Sequence, residues 1–164
     1  MRIIFCLLLL VSTATLGQKK LDRLLKKYNT NSVPYISVED LSTQAENIFL
    51  LDSREPKEFE ISRIKNAICV GHDKFNINKT LKKLPKDKNT KIVVYCSLGI
   101  RSEDIAEQIS KAGYKNVFNL YGGIFEWKNK NQTVVNSKEK TTENVHAFNK
   151  EWGKWLRKGV KVYE

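Results

Sequence analysis

The sequence predicts an α/β fold: a parallel sheet flanked by helices on both faces. Short apolar runs alternate with stretches of helical periodicity through the middle of the chain, the pattern that βαβ crossovers produce. Ile92, Val93, Val94 and Tyr95 form a β-branched and aromatic run of the kind buried on both faces of a parallel sheet. Directly after it, Ile105, Ile109 and Ala112 recur at helical spacing, and Gly113 provides a C-terminal stop.

The first residues stand apart from this pattern. Met1 and Arg2 give a short positive end, Ile3 to Val11 is unbroken apolar sequence, and Ser12 to Thr15 and Gly17 are small or polar. That is the layout of a secretory signal peptide, here residues 1–17. Its nine apolar residues would span about 14 Å as a helix, too little for a hydrocarbon core of about 30 Å. Cys6 is expected to leave with the signal, so the exported protein, periplasmic or secreted, keeps Cys69 and Cys96. Export would expose both to an oxidising compartment, where a disulfide competes with any chemical role.

Residues 18–33 form an N-terminal segment. Leu21, Leu24, Leu25 and Tyr28 mark an amphipathic helix over 18–28, and Asn29 to Ser32 a polar connector. Pro34 to Ile36 reads as a strand, and Ser37 as the cap of a helix with Asp40 three residues on. Asn47 to Asp52 is the next strand. Arg54 to Phe59 turns into a short helix, with Pro56 in its first turn. Ala67 to Val70 is a strand, and Asn66 before it suits a left-handed turn. Lys79 to Leu84 reads as a helix ended by Pro85, and Val117 to Leu120 as a further strand. Residues 128–144 are polar and without periodicity, a linker or surface arm. Trp152, Trp155 and Leu156 then share a helical face, so residues 132–164 are expected to dock back as a C-terminal extension, or else to offer a surface to a protein partner.

The segment Cys96-Ser97-Leu98-Gly99-Ile100-Arg101-Ser102 carries the chemistry. A strand that feeds a tight turn and then a helix aims backbone N–H groups at one point, and the helix N-terminus adds partial positive charge. A cysteine there is favoured as its anion. Arg101 adds a forked cation that either binds an oxyanion or holds the loop through backbone carbonyls. Glu103 and Asp104 fall in the first helical turn and are expected to point outward.

Cys-x-x-Gly-x-Arg-Ser after a hydrophobic strand resembles the active-site loop of rhodanese-type sulfurtransferases. Asp52-Ser53-Arg54-Glu55-Pro56-Lys57-Glu58-Phe59 resembles the family's upstream Asp-x-Arg-x-x-x-Glu-Phe signature, and Leu120-Tyr121-Gly122-Gly123 to Trp127 its closing one. The resemblance implies a single rhodanese-like domain over 34–131 with about five parallel strands, and a persulfide on catalytic Cys96. It further implies a substrate site made by Ser97, Leu98, Gly99, Ile100, Arg101 and Ser102, with Arg54 as a second cation. It implies Cys69 on an edge strand and Cys96 at the end of a central strand, with one strand between them. Where the family commonly has Gly-His-Ile-Pro-Gly-Ala, this chain has Ser62 to Ala67 without the histidine.

The expected activity is thiosulfate sulfurtransferase: a small anionic donor gives its sulfane sulfur to Cys96, and cyanide or a small thiol removes it. Two other readings stay open. Phosphatases and arsenate reductases use Cys-x5-Arg, whereas four residues separate Cys96 from Arg101 here. A non-catalytic rhodanese-like module would only bind a partner. The formal net charge of +11 is spread along the chain and lacks a nucleic-acid-binding motif, so no nucleic-acid partner is expected; it would help draw small anions in. Membrane contact is expected only during export. His72 and His146 lie far from each other and from Cys96 in sequence and read as surface or turn residues. No metal-ligand spacing or nucleotide loop is present, so no cofactor is expected.

Overall fold

The computed structural model describes residues 18–44 and 48–163. The expected signal peptide, residues 1–17, lies outside them, as does Asn47 at the start of one expected strand. The chain divides into two units, residues 1–31 and residues 32–164. The described part of the first is helix α1 over residues 18–28, as the leucine spacing predicts.

The second unit contains a five-stranded parallel sheet. Its strands are β1 (Tyr35–Ile36), β2 (Ile48–Asp52), β3 (Ile68–Cys69), β4 (Lys91–Tyr95) and β5 (Val117–Leu120), in the order β1-β5-β4-β2-β3. The crossovers carry α2 (Val38–Gln44), α3 (Pro56–Ile61), α4 (Ile77–Leu81) and α5 (Arg101–Lys111), and α6 (Gly123–Asn129) follows β5. β4 is central and Ile92 to Tyr95 are fully buried, which is why its sequence does not alternate. Ile92 and Val94 pack in one cluster with Ile105, Ala106 and Ile109 of α5. Burying each such isoleucine contributes about 1.5–3 kcal/mol. Tyr95 points to the opposite face, where its hydroxyl accepts the Ile64 N–H at 3.1 Å.

Local signals set several boundaries. Ser37 Oγ accepts the Asp40 N–H at 3.0 Å and so caps α2. Asn66 is left-handed with φ 65°, as expected of it. The helix expected over Lys79–Leu84 begins earlier, at Ile77, because the Asn76 side chain caps it by accepting the Lys79 N–H at 3.0 Å.

The C-terminal part differs from its expectation. The supposed linker contains an antiparallel pair, β6 (Val134–Val135) with β7 (Thr141–Thr142), and Val134 is fully buried. Val135 also bridges Arg63. β8 (Asn144–His146) pairs in parallel with β9 (Val160–Val162). Between them Trp152–Trp155 form a single 3-10 turn where a shared helical face was expected. Val145, Ala147 and Leu156 are fully buried.

Candidate active site

The site forms where β4 ends and α5 begins. Cys96 directly follows β4 and is buried, at 2 % exposure. The Gly99 N–H donates to Cys96 Sγ at 3.1 Å, and Ser102 Oγ lies 3.5 Å from the same sulfur. The Ser102 hydroxyl also lies 2.7 Å from Asn119 Oδ1, while Asn119 Nδ2 donates to the Gly99 carbonyl at 2.8 Å. Asn119, on β5, therefore fixes both partners of the sulfur. Having only one proton, the hydroxyl serves either Asn119 or the sulfur at a given moment.

Backbone geometry explains the two glycine positions of the motif. Gly99 has φ 94°, and a side chain there would come within 3.0 Å of the Leu120 carbonyl oxygen. Gly123 has φ 56°, and its missing Cβ would lie 2.3 Å from the Cys96 carbonyl oxygen. That closeness lets the Ile124 N–H donate to the Cys96 carbonyl at 2.9 Å and the Phe125 N–H to the Ser97 carbonyl at 3.1 Å. Trans peptide groups put N–H opposite C=O, so the Ser97 and Leu98 N–H groups are turned away from α6.

Arg101 holds the loop differently from either expected way. Its guanidinium grips Glu58 of α3 with both terminal nitrogens, at 2.8 and 2.9 Å, and reaches Ser97 Oγ at 3.1 Å. Burial alone would raise the Glu58 carboxyl, but hydrogen bonding to Arg101 and the nearby positive charge hold it below its ordinary value. Burial likewise opposes the Arg101 charge, and Glu58 overrides it.

Arg54, expected to bind substrate, is a correction. It is fully buried and donates to Asp52 through Nε, at 3.0 Å, and through a terminal nitrogen, at 2.6 Å. The same terminal nitrogen donates to the Ser62 carbonyl at 2.6 Å. Sealed from solvent, it supports the framework and does not line the pocket. Glu103 is a second correction: it is buried and accepts the Ser32 N–H at 3.0 Å, while Asp104 does face outward.

His146 is a third. It is buried, with Nδ1 3.8 Å from Glu58 Oε1, and that nitrogen accepts the Phe148 N–H at 3.2 Å. Sequence reading also missed Phe148, whose ring lies 5.0 Å from the Arg101 guanidinium carbon. Above Cys96 a pocket of about 170 Å³ is lined by Leu98, Ile100 and Arg101, with Ser97 beside them, and by Phe148 and Trp152. Of the expected site residues, Cys96, Ser97, Leu98, Ile100 and Arg101 line it. Gly99 and Ser102 lie behind, against the sulfur. Among the described residues no group of side chains is arranged to hold a metal ion. Cys69 is half-buried on β3, and β2 lies between it and the Cys96 strand; both thiols are free.

A parallel α/β sheet with a cysteine in the loop that joins its central strand to the following helix defines the class. The model of the Rhodanese-like domain matches residues 37–130, and the chain belongs to that family. It is 33% identical over 116 residues to a tRNA uridine(34) hydroxylase of Hamiltonella defensa, covering 70% of this chain and 31% of the relative. It is 32% identical over 90 residues to the probable adenylyltransferase/sulfurtransferase MoeZ of Mycobacterium tuberculosis, covering 55% and 22%. The chain thus spans less than a third of the length of these curated relatives. Among solved structures, a rhodanese-related protein from Thermoplasma volcanium superposes with TM-score 0.56 at 30% identity, over 63% of this chain and 98% of that one. A thiosulfate sulfurtransferase from Pseudomonas aeruginosa shares the fold, with TM-score 0.58 at 20% identity over 76% and 23%.

Proposed function

We propose that this protein is an exported sulfurtransferase that carries sulfane sulfur on Cys96. The observation that supports it most is the Gly99 N–H directed at Cys96 Sγ from 3.1 Å, at the floor of an open pocket. A donor to sulfur stabilises negative charge in the thiolate and in the leaving group alike. With thiosulfate as donor, the Cys96 thiolate attacks the outer sulfur. The S–S bond breaks, sulfite departs with its electron pair, and the enzyme holds a persulfide anion. Cyanide or a thiolate then takes the terminal sulfur and returns Cys96 as thiolate. No step consumes a proton or an external oxidant.

The phosphatase reading is disfavoured by Arg101. Both of its terminal nitrogens already carry Glu58, so the fork that would grip two oxygens of a tetrahedral phosphate is taken. The test is a steady-state assay of sulfur transfer from thiosulfate to cyanide and to small thiols. Wild type should turn over and Cys96→Ser should not, because a neutral hydroxyl is a poor sulfur nucleophile. Hydrolysis of an aryl phosphate without sulfur transfer would reverse the assignment. Loss of both reactions in wild type would leave the binding-module reading.

A further inference from the structure

We infer that Phe148 and Trp152 form an aromatic acceptor subsite, and that the thiol discharging Cys96 is an organic one with an apolar body, such as an aryl-methyl thiol. This rests on the sulfurtransferase reading above and names the second substrate of that reaction.

Three observations carry it. The first is the lining. Phe148 and Trp152 belong to the C-terminal arm, outside residues 37–130, and they face Leu98 and Ile100 across the mouth of the Cys96 pocket. A cavity of about 150 Å³ with apolar walls accommodates a benzene ring. The volume of about 170 Å³ here has room for a ring as well as a thiol.

The second is charge. Arg101 is the one charged residue of the lining, and its two terminal nitrogens are both bonded to Glu58. At contact distance the charge of the one cation in the lining is already offset by the Glu58 carboxylate. The pocket offers the Phe148 and Trp152 rings instead.

The third is backbone strain at Phe148. Its φ is 65°, in the left-handed region that a bulky residue seldom adopts. The Asn149 N–H donates to the Ala147 carbonyl at 2.8 Å, closing a three-residue turn around it. The His146 ring accepts the Phe148 N–H. Such strain persists only where its surroundings over-determine it, and it concentrates at ligand contacts. Its result here is a large apolar residue that stays 44 % exposed beside the pocket. A residue held there for packing alone would be expected to bury its ring.

The step balances. The acceptor thiolate, R–S⁻, attacks the outer sulfur of the Cys96 persulfide anion. The Cys96 S–S bond breaks, Cys96 leaves as thiolate, and the outer sulfur departs as R–S–S⁻. Sulfur is passed from one thiol to another without net oxidation.

The experiment has two arms on the full chain. In the first, protein loaded with sulfur from thiosulfate is discharged in single turnover by benzyl mercaptan or by 2-mercaptoethanol, two thiols of similar acidity. Wild type should prefer benzyl mercaptan by about tenfold or more, within the range that one apolar contact surface provides. Phe148→Ala and Trp152→Ala should each reduce that preference, and the double variant should remove it. Discharge by cyanide, measured on each variant, supplies the reference rate by which both thiol rates are divided. Equal rates for the two thiols in wild type, or a preference that survives the double variant, would overturn the inference.

The second arm needs no sulfur transfer: calorimetric binding of benzyl methyl sulfide to Cys96→Ser. Binding that disappears in Cys96→Ser/Phe148→Ala/Trp152→Ala supports the subsite, and no binding to Cys96→Ser opposes it. If wild type never loads sulfur, the sulfurtransferase reading fails and this arm still decides the subsite.

Discussion

Glu58 joins the cysteine loop to α3, and Arg101 is the other half of that joint. Both are largely buried, so removing one partner strands the charge of the other. Arg101→Ala should lower stability by about 3–5 kcal/mol in urea unfolding and should slow sulfur loading. Arg101→Lys should recover little of either, because an ammonium cannot present two parallel donors to a carboxylate. The pH dependence has a definite sign. Glu58 has a folded value below the ordinary 4.5, so its contribution is present above that pH and is lost as pH falls through the folded value. The stability gap between wild type and Glu58→Gln, measured in urea from pH 7 down to pH 3, should therefore narrow in the acid range. A gap that widened with acid would reject the ion pair as its source.

At the scale of elements, the site depends on α6 resting against the loop through Gly123. Gly123→Ala places a methyl group into the Cys96 carbonyl at a positive φ, so a loss of more than about 1 kcal/mol is expected. Sulfur loading should fall with it, since the Ser97 and Leu98 N–H groups would lose their orientation. β2 lies between the two cysteines, putting the strands that carry them about 9.6 Å apart. A disulfide needs Cα atoms within about 6.8 Å. A non-reducing peptide map of active protein should contain no Cys69–Cys96 crosslink. The same elements show what the sequence discloses. Ile92 to Tyr95, the Cys96-to-Ser102 spacing and Gly122-Gly123 are contiguous signals, and each element they predict is present. The roles of Arg54 and Arg101 were not legible, because two acids, Asp52 and Glu58, were available to two arginines, and spacing does not assign the pairs. Asn119 gives no local sign of reaching Gly99 and Ser102. Phe148 and His146 sit far along the chain from Cys96, and only the return of β8 past α3 brings them to the pocket. The β6–β7 pair was hidden because Val134 and Val135 are two apolar residues in polar sequence, too few to show a period.

Across the whole molecule, the net charge of +11 and the neutral pocket act at different ranges. The charge would draw a dianion such as thiosulfate from a distance, so the loading rate should fall as salt is added. Discharge by a neutral organic thiol should respond less. Export, proposed from Ile3 to Val11 and the small residues behind them, predicts that protein taken from its native host begins near Gln18 on N-terminal sequencing. A mature chain that still starts at Met1 would oppose it. The central claim is that Cys96 carries the sulfur, and intact-protein mass spectrometry with peptide mapping tests it most directly. Treatment with thiosulfate should add one sulfur atom, located on the Cys96 peptide, and cyanide should remove it. Cys96→Ser should gain none, while its melting temperature stays within a few degrees of wild type because serine can accept the same Gly99 N–H. A wild-type mass that does not change with thiosulfate or any other sulfane donor, or a sulfur found on Cys69, would contradict the account.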